Sequence, residues 1–286
     1  MPIRRTYSIP LPDGRTLALG TRTLVMGILN ITPDSFSDGG RHLDVDRAVE
    51  AGLRMVAAGA DILDIGGEST RPGAESVGED EELRRVLPVV ERLAARTDAF
   101  ISIDTYKAIV GQAAVERGAS IINDISGLQY DPGLGDVAAR TGAGLILMHT
   151  RGRSSEMYAR AVYEDVVADV ARELGEAISR ATASGVRREA IVIDPGFGFA
   201  KRPEHSFSLL ARLPELAALD RPILSGPSKK SFLKLAIGER EPSGRLWGTA
   251  SAVAASVLLG AHVIRVHDVA AMVDVVRVAD AALAAG

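Results

Sequence analysis

Cysteine is absent from the 286-residue sequence, which excludes a disulfide framework and thiolate metal ligation. Any metal must then be held by oxygen or imidazole, donors that suit hard cations such as Mg²⁺. No uninterrupted apolar run approaches the roughly 18 residues of a membrane span, and no charged-then-apolar leader opens the chain, so a cytoplasmic protein is expected. An excess of positive charge is missing as well. The formal net charge of −4 argues against nucleic acid or an anionic membrane as the main partner, since both select broad basic faces. Asparagine occurs only at Asn30 and Asn123 and glutamine only at Gln112 and Gln129, while arginine far outnumbers lysine. Scarcity of thermolabile side chains fits a heat-tolerant protein, although a GC-rich genome gives a similar arginine bias.

What is present is enough apolar material, 47% of residues against 24% charged, for one large core. The expected organisation is a single domain over 1–286, with a hairpin in 1–23 and a barrel in 24–286. Short β-branched runs predict strands at Leu24–Leu29, Ile62–Ile65, Phe100–Ile103, Ser120–Ile122, Leu145–Met148, Ile191–Ile193, Pro222–Leu224 and Val263–Val266. Helical spacing fills the intervals: Val45–Ala58, Asp80–Ala95, Tyr106–Arg117, Gly133–Arg140, Tyr163–Ala183, Glu204–Leu213, Leu246–Leu259 and Ala270–Leu283. Eight strand–helix units in about 250 residues predict an α/β protein of the (β/α)₈ TIM-barrel class. Tyr7 to Leu19, around Pro12-Asp13-Gly14, reads as an N-terminal β-hairpin that would plug the bottom of the barrel.

In such barrels chemistry is placed at the C-terminal ends of the strands. Here those ends are polar: Asn30, Asp64 leading into Gly66-Gly67-Glu68-Ser69-Thr70-Arg71, Asp104, Asn123-Asp124, His149, Asp194, Ser228-Lys229-Lys230, and Arg265-Val266-His267-Asp268. Alternation puts Ser102 with Asp104, and Arg265 with His267, on shared faces. Any one of these positions could merely cap the next helix. Capping does not explain why both asparagines of the chain and the Arg265/His267 pair share one rim.

These residues sit inside longer strings. Met26-Gly27-Ile28-Leu29-Asn30-Ile31-Thr32-Pro33-Asp34-Ser35-Phe36-Ser37-Asp38-Gly39-Gly40 and Asp64-Ile65-Gly66-Gly67-Glu68-Ser69-Thr70-Arg71-Pro72-Gly73 are similar to the two signature loops of the dihydropteroate synthase family. Ser102-Ile103-Asp104-Thr105, Asn123-Asp124-Ile125-Ser126-Gly127, Asp194-Pro195-Gly196-Phe197-Gly198-Phe199 and Arg265-Val266-His267-Asp268 follow in that family's order. One departure stands out: Lys229 occupies a place where the family usually has arginine, which removes a planar fork of donors there.

The resemblance implies a transferase that displaces diphosphate from the methylene carbon of hydroxymethyl-dihydropterin diphosphate with the aniline nitrogen of p-aminobenzoate. It implies that Asp194 takes the guanidine-like edge of the pterin, that Asn123 takes another part of the ring edge, and that Lys230 donates to the pterin carbonyl oxygen and ring nitrogen. Asp104 would stabilise the positive charge that develops as diphosphate leaves. Arg265 and His267 would bind the diphosphate, and Asn30 would offer its side-chain oxygen to a Mg²⁺ that also holds diphosphate oxygens. Asp38 would orient the metal's water or the incoming amine, with Asp34 on the same loop. Thr70, Arg71, Pro72, Phe199 and Ser231 would form the p-aminobenzoate pocket, with Phe36 closing over the ring. A homodimer built from the late helices is also implied.

Competing readings make different demands. A methyltransferase acting on methyltetrahydrofolate would share Asp104, Asn123 and Asp194 but needs no diphosphate site, so Arg265, His267 and Lys230 favour the synthase. A barrel hydrolase would need clustered histidines, which His42, His149, His205, His262 and His267 do not supply. Ser231-Phe232-Leu233-Lys234 matches S-x-x-K without the companion motifs of penicillin-recognising enzymes. A family member that had lost activity would keep much of the rim, and Lys229 is the one hint of that.

Overall fold

Side-chain alternation in the barrel strands sorts the apolar residues into two separate cores, and that sorting leaves one end of the barrel polar. The computed structural model describes residues 4–31, 41–69, 76–153 and 156–285. A hairpin of β1 (Tyr7–Pro10) and β2 (Thr16–Leu19) precedes eight parallel strands. These are β3 (Leu24–Asn30), β4 (Ile62–Gly66), β5 (Phe100–Asp104), β6 (Ile121–Asp124), β7 (Gly144–Met148), β8 (Ile191–Asp194), β9 (Leu224–Ser225) and β10 (Val263–Val266). They pair in the order β8-β7-β6-β5-β4-β3-β10-β9. The ring closes through a parallel bridge between Ile193 and Ile223, where the Ile193 N–H donates to Pro222 O at 3.0 Å. The result is the (β/α)₈ barrel expected from the sequence. Its helices are α1 (Arg41–Ala57), α2 (Glu79–Ala94), α3 (Ala108–Glu116), α4 (Gly133–Thr141), α5 (Val166–Ala183), α6 (Pro203–Ala211), α7 (Lys234–Ile237), α8 (Leu246–Leu258) and α9 (Val269–Ala284).

Outward-facing strand residues such as Val25, Leu63, Ile65, Ile101, Ile122, Leu145, Ile193 and Ile264 pack under the helices. Inward-facing residues at the strand starts, among them Leu24, Met26, Ile62, Ile121, Ile146, Val192 and Val263, form a second core with Ile9, Leu11, Leu17 and Leu19 of the hairpin. The hairpin therefore plugs the barrel floor. Gly144 makes room for it: a Cβ there would meet Leu11 Cδ2 at 3.2 Å and Ile9 Cγ2 at 3.4 Å. With the floor filled by apolar side chains, the inward positions nearer the strand ends are free to be polar.

Boundaries differ from the sequence reading for local reasons. Strands β3, β5, β6 and β8 run on through Asn30, Asp104, Asp124 and Asp194, because the ladder continues past the last apolar residue. Thr105 N–H donates to Asn123 O at 3.1 Å, and His149 N–H to Asp194 O at 2.9 Å. Helix α5 starts at Val166 rather than Tyr163, since the Asp165 side chain accepts from the N–H groups of Val167 and Ala168 and caps it. Helix α3 starts at Ala108 rather than Tyr106, because Lys107 is extended and the Ala108 N–H is taken by Asp131 Oδ2 at 2.7 Å.

Candidate active site

Parallel pairing brings Asp64, Ser102, Asp104 and Asn123 side by side on the inner wall: Asp64 is opposite Ser102, and Asp104 opposite Asn123. Arg265 reaches them from β10. Its Nε donates to Asp64 Oδ2 at 2.5 Å and its Nη2 to Asp104 Oδ2 at 2.6 Å. Asn123 Nδ2 donates to the same Asp64 oxygen at 3.0 Å. Burial raises the Asp104 carboxyl to about 7; the Arg265 guanidinium opposes the rise and the Asp64 and Glu82 carboxylates add to it. Arg265 itself stays firmly charged, because Asp64 and Asp104 outweigh its burial.

Asp194 closes β8, and the loop after it turns sharply back on the barrel. Gly196 makes this turn at φ 68°, and a Cβ there would lie 2.1 Å from His149 O, so only glycine fits. The turn points the Gly196 N–H at Asp194 Oδ1, 2.7 Å away, and fixes the carboxylate plane. Burial pushes the Asp194 carboxyl upward, while that N–H and the charges of Lys230, Arg265 and Lys201 pull it down. Gly226, at the end of β9, lies beside both walls: a Cβ there would be 3.9 Å from Arg265 Cβ and 4.0 Å from Asp194 Oδ2.

Lys230 lies on the loop after β9, its backbone followed by the 3₁₀ turn Ser231–Leu233. Phe232 anchors that turn, stacked on Phe197 at 5.9 Å and edge-on to Phe207 at 5.2 Å. The Lys230 ammonium sits 3.9 Å from the centre of the Phe199 ring and has no ion-pair partner among the described residues. Burial, with Arg265 as a like-charged neighbour, lowers it to about 8. His267 is held by Ser228, whose Oγ is 3.0 Å from Nδ1 and accepts the His267 N–H at 3.2 Å. The two contacts fix the ring and the backbone of His267 against the Ser228 hydroxyl. Burial and the neighbouring Arg265, Lys229 and Lys230 charges lower His267 to about 3.

The expected residues Asp104, Asn123, Asp194, Lys230, Phe199, Arg265 and His267 thus share the rim. Ser231 is there as well but exposed. Asn30, half-buried at the end of β3, pairs in the ladder with Gly66, and its amide makes no hydrogen bond to any described residue. Asp34, Phe36, Asp38, Thr70, Arg71 and Pro72 lie outside the described residues. No group of three histidine or carboxylate side chains able to hold a metal occurs among the described residues. A single free amide oxygen fits an ion held chiefly by phosphate and water, and does not fit a protein cage. Lys229 has a left-handed backbone, φ 57°, and its ammonium pairs with Asp268 at 2.9 Å, so the departure from arginine still supplies an ion pair.

Three groups were given no role by the sequence reading. Asp64 was visible as a strand residue, yet its inward parity with Gly66 was the only sign that it joins the site. His149 is buried between Lys201 Nζ, 2.8 Å from Nδ1, and Glu173 Oε2, 2.9 Å from Nε2. Lys201 also donates to Phe199 O at 3.0 Å, which ties the Asp194 loop to β7. Burial lowers His149 to about 4 and Lys201 to about 7. Lys107, extended before α3, donates to Glu68, Glu82 and Val77 O, and so joins both sides of the segment between residues 68 and 77.

The chain whose barrel rim carries this fixed carboxylate, fixed amide and two cations belongs to the pterin-binding enzymes: the family model described as "Pterin binding enzyme" matches residues 26–267. The sequence is 45% identical over 273 residues to the dihydropteroate synthase of Synechocystis sp., covering 95% of this chain and 94% of that one. It is 49% identical over 268 residues to that of Mycobacterium leprae, covering 92% and 94%. The structure resembles Xanthomonas albilineans dihydropteroate synthase with 4-aminobenzoic acid, with a TM-score of 0.90, 45% identity, and coverage of 98% of this chain and 99% of the other. The chain belongs to the dihydropteroate synthases of the pterin-binding enzyme family.

Proposed function

We propose that this chain joins hydroxymethyl-dihydropterin diphosphate to p-aminobenzoate, giving dihydropteroate and diphosphate for folate synthesis. The observation that carries the reading is the convergence of Asn123 and Asp194, each held in one orientation, with Lys230 and Arg265 on one rim. A flat ring with two N–H donors on one edge is matched by the Asp194 carboxylate, its remaining polar edge by Asn123 and Lys230. As the methylene–oxygen bond to diphosphate breaks and the bond to the aniline nitrogen forms, positive charge spreads over ring and methylene, where Asp104 stabilises it. The aniline gives up its proton to solvent, and the diphosphate departs toward Arg265 and His267. The pocket for p-aminobenzoate draws on Phe199 and Ser231, and on Thr70, Arg71 and Pro72.

A Mg²⁺ held by Asn30 would supply charge neutralisation to the diphosphate oxygens, with Asp38 oriented toward its water or the amine. The enzyme would work in the cytoplasm as a homodimer. Large apolar side chains stand exposed on α8 and α9, Trp247 at 77% and Val278 at 72%, and these support a subunit face there; sedimentation of the purified chain, with Trp247→Glu as the disrupting variant, tests it. Among the described residues no helix is long and apolar enough to cross a membrane.

Diphosphate release decides the reaction. Release that requires both substrates and matches dihydropteroate formation mole for mole is the expected result. Release independent of p-aminobenzoate would instead make the chain a hydrolase.

A further inference from the structure

Asp64 is completely buried in β4, between Leu63 and Ile65. A carboxylate in such a place costs several kcal/mol unless its oxygens are taken up by donors. Only one of them is. Oδ2 accepts from both Asn123 Nδ2 and Arg265 Nε, while among the described residues Oδ1 has no partner and the hydroxyl of Ser102, directly across the ladder, has none either. An apolar side chain would suit the packing better than this half-used carboxylate.

What the carboxylate does is orient two neighbours. Asn123 has two polar edges that differ only by a flip of the amide, and acceptance by Asp64 turns the NH₂ inward and leaves Oδ1 at a defined place. Arg265 is gripped by its Nε, so its plane is set before any ligand arrives, and Asp104 does not hold its charge alone. Without Asp64 the guanidinium would collapse into a one-to-one pair with Asp104. That pair would both silence Asp104 and withhold Arg265 from a leaving anion.

Building on the proposed condensation, we propose that Asp64 is a positioning residue: it touches no substrate and sets the Asn123 amide and the Arg265 guanidinium in the orientations that the pterin and its leaving group meet. The test uses Asp64→Asn and Asp64→Leu in the full chain, with kcat and KM for each substrate, the pH profile of kcat/KM, melting temperature, and calorimetric binding of 6-hydroxymethylpterin. The expected result is a loss of about a hundredfold in kcat/KM for the pterin diphosphate, from one misoriented charge-assisted contact and one lost amide contact. KM for p-aminobenzoate at saturating pterin changes little. In both variants the acid limb of the profile moves to lower pH, because Asp104 loses the like charge of Asp64 while Arg265, Lys230 and Glu82 still face it. Kinetic constants that match wild type with only a lower melting temperature would overturn the proposal, as would a loss shared equally by both substrates with no shift of the limb. If wild type forms no dihydropteroate the condensation reading fails. The calorimetry then decides alone: weakened binding of 6-hydroxymethylpterin in Asp64→Asn upholds Asp64, and unchanged binding refutes it.

Discussion

The guanidinium of Arg265 donates to the carboxylate of Asp104 across 2.6 Å. Two groups expected to serve opposite ends of the substrate, one the departing anion and the other the developing cation, are therefore engaged with each other in the free protein. In the proposed reaction diphosphate entering the rim would compete for Arg265, and each step it won would leave Asp104 less neutralised. On the proposed reaction, leaving-group recognition and stabilisation of the carbocation-like centre would be coupled through one ion pair. The coupling is efficient because the pair is buried, where a charge without its partner is felt strongly.

Asp104→Asn separates catalysis from stability. Removing the charge should lower kcat/KM by about a hundredfold, the size typical of one electrostatic contact to a transition state. Stability moves the other way. Asp104 is an acid whose folded value, about 7, lies above the ordinary 3.8. Its contribution to the fold is full below the ordinary value and lost as pH rises through the folded one. The variant should therefore gain stability relative to wild type between about pH 5 and about pH 8, read from urea unfolding at both. A gap that stays constant with pH would show that the carboxyl titrates normally.

Lys107→Met should be among the most destabilising single changes in the chain. Lys107 is buried and its ammonium serves Glu68, Glu82 and the Val77 carbonyl together. Methionine fills the space and strands two carboxylates, one of them fully buried, at a cost of about 3–5 kcal/mol. Adding Glu82→Gln to the same chain should recover part of that loss, since burial already pushes the Glu82 carboxyl upward. Chemical denaturation of the single and double variants checks this, and a double variant no more stable than the single one removes the explanation.

Asn30→Ala should raise the Mg²⁺ requirement without altering the fold. The amide at the end of β3 has no described partner to lose, so the melting temperature should stay within about a degree, the range of a surface change. Removing its oxygen leaves the cation to diphosphate and water alone, and the Mg²⁺ concentration at half-maximal rate should increase several-fold. Equal activity of both proteins in excess chelator sinks the metal role.

How far the sequence led is explained by what periodicity encodes. Alternation of apolar and polar residues is a local property, so eight strands, their inward faces and the rim set Asp104, Asn123, Asp194 and Arg265 could be read along the chain. The plugged floor followed from the same rule, because a hairpin of alternating residues needs an apolar surface to cover. Partnerships between distant residues leave no such trace. Lys201 meets His149 only because Gly196 folds the loop back to within 2.1 Å, for a hypothetical Cβ, of the β7 end. Lys107 falls within the helix expected at Tyr106–Arg117 and carries no mark of its role until Glu68 and Glu82 come together around it. Asp64 looks like one more strand-end polar residue, and only the ladder register brings Asn123 and Arg265 to the same oxygen.

Asp194→Asn is the sharpest test of the pterin site, because the structure dictates how the new amide must sit. The Gly196 N–H lies 2.7 Å from Oδ1 and needs an acceptor, so the asparagine oxygen stays there and its NH₂ takes the place of Oδ2. In the proposed complex that NH₂ would face the N–H edge of the pterin, and two donors would oppose each other. The loss is one charge-assisted hydrogen bond, on the order of 1.5–3 kcal/mol, plus roughly 1–3 kcal/mol for a buried donor left unsatisfied. Together they lower kcat/KM for the pterin diphosphate by about two orders of magnitude or more. Folding should be spared, since the Gly196 contact survives and a buried carboxyl already pushed upward becomes neutral. Affinity for p-aminobenzoate at saturating pterin should change far less. If Asp194 serves only to fix the following loop, the same variant loses thermal stability and keeps its pterin affinity; melting temperature and pterin calorimetry on one preparation distinguish the two, and a destabilised protein with unchanged pterin binding removes Asp194 from the site.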